Sequence, residues 1–394
     1  MKNKLIIYIL ALAVFLIGTI EYIITGVIEM IAVDLRVSTS EAGLLVTVFA
    51  LAAAIVAPIL IALTINMDRK KLLMAALSVF ITSNGLMLVN LSYETLLWVR
   101  IIQGASGGIA TVVAMAVATR LVEKERRGNA IGIILMGLSS SLVLGVPAGT
   151  FFSEMFGWRV LFILIGIISV LPLFIIYKKV PAIREEEAVT LRMQLSILKD
   201  SKIVTALAIT LFYIGGYSTL FTYITPFLQA ASSLSITEIS GVLFLAGICS
   251  FIGSKVGGQL ADTKGSKFTI CMGLLLQGAM LLLFTLAGVN IIVLILVLMI
   301  FMLATWSISP AQQLFLVTLV PRNPDIALSV NTSFIQFGFA LGSGLGGLVI
   351  NRTSVLNLNW VGLAAVSVAL LLAILLFKKM SSGIGTSTVT KEKY

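Results

Sequence analysis

The chain has 394 residues, 59% of them apolar and 11% charged, with a net charge of +10. Its mean hydropathy of +1.11 goes with a composition far from the soluble average of about 45–50% apolar and 25% charged, and identifies a membrane protein. It carries no histidine, which excludes His-ligated zinc sites, Ser-His-Asp triads and imidazole proton relays and leaves any proton chemistry to carboxylates. The two cysteines, Cys249 and Cys271, lie in apolar runs and read as small buried side chains rather than a disulfide framework.

A membrane-crossing helix needs about 20 mostly apolar residues, and twelve such runs are predicted: 5–30, 41–65, 72–91, 95–121, 129–151, 159–177, 203–228, 238–260, 268–288, 290–316, 326–350 and 355–377. Lys2 and Lys4 ahead of the first run resemble a signal peptide, but the run is too long for one and reads as an uncleaved span. An even number of spans puts both termini on one side of the bilayer. Of the 27 basic residues, 22 fall in the loops and tails of that side, Arg36, Arg159 and Arg352 fall opposite, and Arg100 and Lys255 lie within spans. By the positive-inside rule both termini are expected in the cytoplasm. The basic balance is therefore topology, and no nucleic-acid partner is expected. Lys255 is expected to snorkel to the cytoplasmic side.

The long polar stretch 178–202, with Lys178, Lys179, Glu185, Glu186, Glu187 and Lys199, separates the sixth span from the seventh. The predicted organisation is an N-terminal six-helix bundle (1–177), a cytoplasmic central loop (178–202), a C-terminal six-helix bundle (203–377) and a cytoplasmic tail (378–394). The segment 381–394, rich in Ser, Thr and Lys, is expected to be disordered. Sliding the chain by 197 residues aligns Gly18 with Gly215, Ser38 with Ser235, Glu41 with Glu238, Lys70 with Lys267, Gly145 with Gly342 and Gly149 with Gly346. Matches at corresponding loop ends argue for two parallel six-helix repeats, a plan that puts a substrate site near the midplane between the halves.

Several motifs can be taken in chain order. In the first span, Gly18-Thr19-Ile20-Glu21-Tyr22-Ile23-Ile24-Thr25-Gly26 precedes Ile31-Ala32-Val33-Asp34-Leu35; in the fourth, Arg100 is followed by Gln103-Gly104 and small residues. An arginine inside a span is costly, so Arg100 either faces the bundle interior or snorkels to the outer interface. In the fifth span, Gly145-Val146-Pro147-Ala148-Gly149 combines close-packing glycines with a residue that removes a backbone hydrogen bond, which predicts a bent packing surface. Between spans eight and nine, Gly258-Gln259-Leu260-Ala261-Asp262 leads to Gly265 and Lys267; the first-half copy is degraded, with Ile61, Ile65 and Asp68 in place of Gly, Asp and Gly. Phe156-Gly157-Trp158-Arg159, Thr305-Trp306-Ser307-Ile308-Ser309-Pro310 and Asn331-Thr332-Ser333 complete the set.

Together these motifs resemble the major facilitator superfamily, in its twelve-span drug:proton antiporter branch, most like bacterial purine-efflux and sugar-efflux pumps. Glu29 departs from that branch, which commonly has Pro there, and Pro226 occupies the equivalent place in the second repeat. The resemblance implies an all-α membrane protein of 12 transmembrane helices in two pseudo-symmetric six-helix bundles. It implies a multi-pass protein of a bacterial-type plasma membrane, monomeric, without cofactor or metal, driven by the proton gradient. The conformational motifs would be Gly145, Pro147, Gly149, Gly258, Asp262 and Gly265, with Asp262 expected against the start of the fifth span near Arg126 and Arg127.

Glu21 is the one carboxylate well inside a predicted span, 17 residues past Lys4, or about 25 Å along a helix. An intramembrane carboxylate suits reversible protonation; the alternative is a structural carboxylate that pairs with a polar neighbour. Its repeat counterpart is Ser218, so the charge belongs to one half only. Glu29 and Asp34 are expected near the outer surface, solvated. Proton coupling is assigned to Glu21 and Arg100. Substrate contacts are assigned to Tyr22, Phe49, Gln103, Tyr213, Tyr217, Trp306, Gln312, Asn331 and Gln336, with Phe212 and Tyr223 beside them, because amides read purine edges and aromatic rings stack flat ligands. The expected function is proton-coupled efflux of purine bases, nucleosides and analogues by alternating access, with broad multidrug or sugar efflux as the alternative. A channel would be expected to show pore rings or filter repeats, and an enzyme needs a nucleophile and base or a metal site that this composition does not supply.

Overall fold

Inside hydrocarbon every backbone polar group must find its partner within the chain, and a helix does this locally. The computed structural model describes residues 2–64, 66–89, 91–123, 127–183, 191–232, 234–285, 290–320 and 324–382. Among them, twelve helices are long and apolar enough to cross a membrane. In the first half these are α1 (Lys2–Tyr22) continued by α2 (Ile24–Leu35), α3 (Thr39–Leu63), α4 (Arg69–Gly85), α5 (Tyr93–Arg120), α6 (Arg127–Ser140) continued by α7 (Val146–Phe156), and α8 (Trp158–Lys179). A short helix, α9 (Leu191–Ile197), lies within the stretch expected to be loop. The second half holds α10 (Ser201–Phe221) continued by α11 (Ile224–Ala231), α12 (Ile236–Lys264), α13 (Ser266–Leu283), α14 (Ile291–Leu319), α15 (Pro324–Arg352) and α16 (Leu358–Ser382). The last helix runs into the stretch read as tail, and residues 383–394 lie outside the described residues.

The sequence repeat is visible in local chemistry. Ser38 caps α3 and Ser235 caps α12, each in a reciprocal box with the Glu three residues on. Ser38 N donates to Glu41 Oε2 at 2.7 Å and Ser235 N to Glu238 Oε2 at 2.8 Å; the return bonds to the serine oxygens are 3.2 and 3.3 Å. Such a box satisfies donors that the first turn leaves open. The degraded loop of the first half has found another use. Asp68, which stands for the turn glycine, accepts from Lys70 N at 2.8 Å and Lys71 N at 3.3 Å and caps α4. Its repeat counterpart Gly265 turns the chain at φ 90°, where a side chain would be strained.

Both halves break their first helix within one turn of the corresponding position, for different reasons. In the first, Thr25 Oγ1 donates to Tyr22 O at 2.8 Å and Gly26 follows, so the ladder loosens at Ile23. In the second, Pro226 offers no N–H to the carbonyl four residues back, and the break falls at Thr222–Tyr223. Pro147 does the same to the fifth span. The turn Ser141–Gly145 just before it widens into a π-helix, the local expansion by which a helix absorbs a missing bond. The bend predicted from Gly145 and Pro147 is therefore a π turn.

Packing within each half runs through small residues. A side chain at Gly145 would meet Thr19, and one at Gly149 would come within 2.7 Å of Ile23 Cδ1, so α7 and the π turn lie directly on the first span. Gly338, Gly342 and Gly346 do the same for α15 on α10. The halves meet chiefly where α3 packs on α15 and where α7 and the π turn pack on α12. Those contacts lie on the face opposite the termini. Thr47 Oγ1 and Ser343 Oγ are 2.8 Å apart, Thr225 Oγ1 donates to Thr25 O at 2.8 Å, and Thr237 Oγ1 donates to Glu154 Oε2 at 2.8 Å.

Asp34 is exposed, as expected, and also accepts from Trp158 Nε1 at 3.1 Å and pairs with Arg159, tying the end of α2 to the start of α8. One expectation about charges changes. Asp262 is exposed, and among the described residues no ion pair joins it to Arg127; Arg126 lies outside them. Gly258 has no neighbour within 4 Å of an added side-chain carbon among the described residues, so it is not a packing contact in this conformation. Lys255 is exposed.

Candidate substrate and proton site

Glu21 sits in the last turn of α1, just before the break at Ile23. The bonds across the break run from Ile23 N to Thr19 O and from Gly26 N and Val27 N to Ile23 O. The carbonyl of Ile20, next to the carboxylate, accepts instead from Arg100 Nη1 at 3.0 Å. Arg100 is 0% exposed. Its Nε donates to Leu45 O at 3.1 Å and its Nη1 to Gln103 Oε1 at 3.0 Å, while its guanidinium covers the Phe49 ring at 4.4 Å. One arginine on α5 thus clamps α1 and α3 together at the level of Glu21. Burying a guanidinium is tolerable because these carbonyls and the ring face satisfy most of it, which decides between the interior and the snorkelling alternatives.

Glu21 faces the other half. Gln336 Nε2, on α15, donates to Glu21 Oε1 at 3.0 Å. The two lie in a cleft between the halves, with Tyr22, Thr25 and Phe49 on one wall and Thr222 and Phe339 on the other. Its free volume is about 10 Å³, roughly that of one water, so a ring-sized ligand requires these walls to part. An aromatic series leads away from it: Tyr22 lies 5.7 Å from Phe339, Phe339 5.8 Å from Tyr217, and Tyr217 6.3 Å from Trp306 and 4.8 Å from Phe221. The Tyr217 hydroxyl and the Trp306 indole nitrogen are both buried.

The structure therefore brings Glu21, Tyr22, Phe49 and Gln336 together, with Tyr217 and Trp306 one ring further out. It does not bring Gln103, Gln312 or Asn331 to the cleft. Gln103, 0% exposed, bonds Arg100 and donates to Asn84 Oδ1 at 3.2 Å. Gln312 Nε2 donates to Ala206 O at 2.6 Å and Thr210 Oγ1 at 3.1 Å, and Thr210 Oγ1 donates to Asn331 Oδ1 at 2.8 Å. Amides buried inside a helix bundle satisfy their polar atoms with the protein, and here they tie α10, α14 and α15 to one another. Tyr213 is buried away from the cleft, its carbonyl accepting from Gln277 Nε2 of α13 at 3.2 Å. Sequence reasoning missed Thr25, Thr222 and Phe339. Thr25 could have been found, since it stands one helical turn past Glu21 on the same face. Ser218, the counterpart of Glu21, donates to Phe339 O at 2.9 Å and joins α10 to α15 within its own half.

Two parallel six-helix halves, each with a broken first helix, closed around a carboxylate on the seam between them, define a secondary transport protein. The profile of the Major Facilitator Superfamily matches residues 10–324 and again 207–393. The MFS-type transporter YbcL of Bacillus subtilis (strain 168) is 37% identical over 377 residues, covering 96% of this chain and 97% of its own. A probable sugar efflux transporter of Mannheimia succiniciproducens is 26% identical, covering 95% and 94%, and the inner membrane transport protein YdhP of Escherichia coli (strain K12) is 30% identical, covering 87% and 88%. Among solved structures, a bacterial homolog to the human lysosomal transporter Spinster, in an inward-facing and occupied conformation, superposes with a TM-score of 0.77 at 18% identity, covering 95% of this chain and 96% of the other. The chain belongs to the Major Facilitator Superfamily: it is a multi-pass membrane transporter and not an enzyme.

Proposed function

We propose that this transporter exports small organic molecules in exchange for protons, with Glu21 as the proton-carrying group, and that purine bases, nucleosides and their analogues are its first substrate class. The observation that carries the reading is the position of Glu21 on the seam between the halves, bonded across it to Gln336. A proton gradient drives transport only if protonation changes the relative stability of the two conformations. A carboxylate that accepts a bond from the opposite half does this directly, because protonation weakens a charge-assisted contact that exists only while the halves are together. Arg100, by gripping Ile20 O and Leu45 O, transmits a change at Glu21 to the α1–α3–α5 packing. The flat aromatic walls and the Gln336 amide suit a planar ring with donor and acceptor edges.

The distribution of basic residues assigns both termini to the cytoplasm of a bacterial-type cell. On that assignment the contacts between Thr47 and Ser343 and between Thr225 and Thr25 are the outer gate, shut, and the protein works as a monomer with substrate entering from inside. The one relative above that is named for efflux, the probable sugar efflux transporter, supports the direction. The test is resistance of an efflux-deficient bacterial host expressing the chain to purine analogues, lipophilic cations and toxic sugar analogues, followed by transport in vesicles. Selective resistance to purine analogues, and loss of pH-gradient-driven export in Glu21→Gln with binding retained, are the expected results. Resistance confined to cations or sugars would replace the substrate class, and full coupled export by Glu21→Gln would overturn the proton assignment.

A further inference from the structure

On the face that carries the termini, the start of α4 and the end of α8 meet in a corner rich in positive charge. Arg69 N donates to Ile183 O at 2.8 Å, so the chain leaving α8 folds back onto the first turn of α4 and holds the two helix ends together. Lys70 and Lys71 lie on α4 at this corner, and Lys178 and Lys179 on α8. Two of the four rest on aromatic rings of α8. Lys70 Nζ is 5.8 Å from the centroid of Tyr177, and Lys178 Nζ is 4.5 Å from that of Phe174. Phe174 is three residues from Tyr177 and four from Lys178, so the three share one side of the helix. Both rings are more than half exposed, and Leu171 and Ile167, also exposed, continue the stripe toward the middle of the membrane.

The direction of Lys178 sets its depth. Helical side chains lean toward the N-terminus of their own helix, and α8 runs toward the face with the termini, so the ammonium is turned back one turn, to the level of Phe174. A charge at the end of a span and at that depth meets the headgroup layer rather than open water. Among the described residues no carboxylate pairs with Lys70 or Lys178, and Asp68 is engaged as the cap of α4. The ring faces attract each ammonium but leave most of its three donors without an acceptor. The second half is built differently: Lys267, the repeat counterpart of Lys70, lies over Phe377, which is buried, so a pair of lipid-facing rings under two lysines is a feature of the first half. We propose that this corner binds an anionic phospholipid, with its phosphate on Lys70 and Lys178, its headgroup on the Tyr177 ring and an acyl chain along Phe174, Leu171 and Ile167. A zwitterionic lipid brings its own cation to the same place and gains less.

The experiment uses the full chain in nonionic detergent micelles and a phosphatidylglycerol carrying a photoactivatable diazirine on one acyl chain, with cross-linked peptides mapped by mass spectrometry. Saturable labelling of α8 within 167–177 is expected, competed by unlabelled phosphatidylglycerol and about tenfold or more weakly by phosphatidylcholine. Lys70→Gln with Lys178→Gln lowers the apparent affinity about tenfold or more, whereas Lys199→Gln with Lys202→Gln, two exposed lysines beyond this corner, removes the same charge and leaves it unchanged. Equal competition by phosphatidylcholine, equal labelling in the Lys70 and Lys178 double variant, or an equal loss in the Lys199 and Lys202 control overturns the proposal. So does displacement of the probe by excess inorganic phosphate, which would make this a site for the free anion. Labelling that appears only after Glu185, Glu186 and Glu187 are changed to Gln would give the lysines to the chain's own acidic run, and overturns it too. Should the double variant fail to fold, unchanged labelling in Lys178→Gln alone has the same consequence.

Discussion

Replacing Gln336 with Met keeps the volume of the side chain and removes the donor that reaches Glu21 at 3.0 Å. A hydrogen bond to a charged partner is worth about 1.5–3 kcal/mol, and about 1.36 kcal/mol is a factor of ten. If that bond exists only in the closed state, Gln336→Met shifts the balance between closed and open by about 13- to 160-fold. In a Glu21→Gln background the lost bond is neutral, about 0.5–1.5 kcal/mol, so the same substitution shifts the balance by only about 2- to 13-fold. The assay is the distance between spin labels on Glu94 and Asn357, exposed residues on opposite halves of the face away from the termini, with Cys249 and Cys271 first changed to Ser. At neutral pH the closed, short-distance population is expected to fall in Gln336→Met, and acidification is expected to lower it in the parent but far less in Glu21→Gln. An unchanged distance distribution in Gln336→Met, or an identical shift with and without the Glu21 carboxylate, would refute the reasoning that this bond reports the charge of Glu21 to the other half.

Three further outcomes follow from the packing. Gly247→Leu places a side chain within 2.5 Å of Val143 Cα and 2.8 Å of Leu142 O, so the same labels are expected to report loss of the closed state, whereas Gly241→Leu, on the same helix with no neighbour within 4 Å among the described residues, leaves it intact. Arg100→Lys retains a cation but cannot hold Ile20 O and Leu45 O together; a loss of about 1.5–3 kcal/mol is expected for each charged bond broken, read as a lower melting temperature by thiol-dye labelling of the half-buried Cys249 and Cys271. Gly265→Ala, at φ 90° and ψ 151°, is expected to cost about 1–3 kcal/mol of backbone strain, while Gly258→Ala, in open helix, is neutral or stabilising by up to about 1 kcal/mol; equal melting temperatures for the pair would contradict the turn argument.

Much of the architecture follows from one-dimensional information because the bilayer makes local demands. Length and apolarity of a run decide whether it crosses, basic loops argue for its direction, and a Ser with a Glu three residues on marks a helix start in each repeat, at 38 and at 235. Pro147 announced the bend of the fifth span for the same reason, since a missing N–H acts within one turn, whereas the break before Pro226 emerged only with the structure. Glu21 was legible as the odd carboxylate in an apolar helix. Its partner was not, because Gln336 is 315 residues away and nothing local distinguishes it from Gln103 or Gln312.

What only the tertiary structure decided is which polar side chains face the seam and which face their own bundle. Gln103, Gln312 and Asn331 have the right chemistry for a ligand, yet each sits at an angle around its helix that points it at neighbours within one half, where burial obliges it to bond protein. The sequence by itself determined the spans, the duplication and the lone membrane carboxylate, which are properties of runs and periods. The direction of each side chain about its helix, and so the membership of the site, depends on how helices rotate and pack against one another, and that is settled by contacts between distant segments.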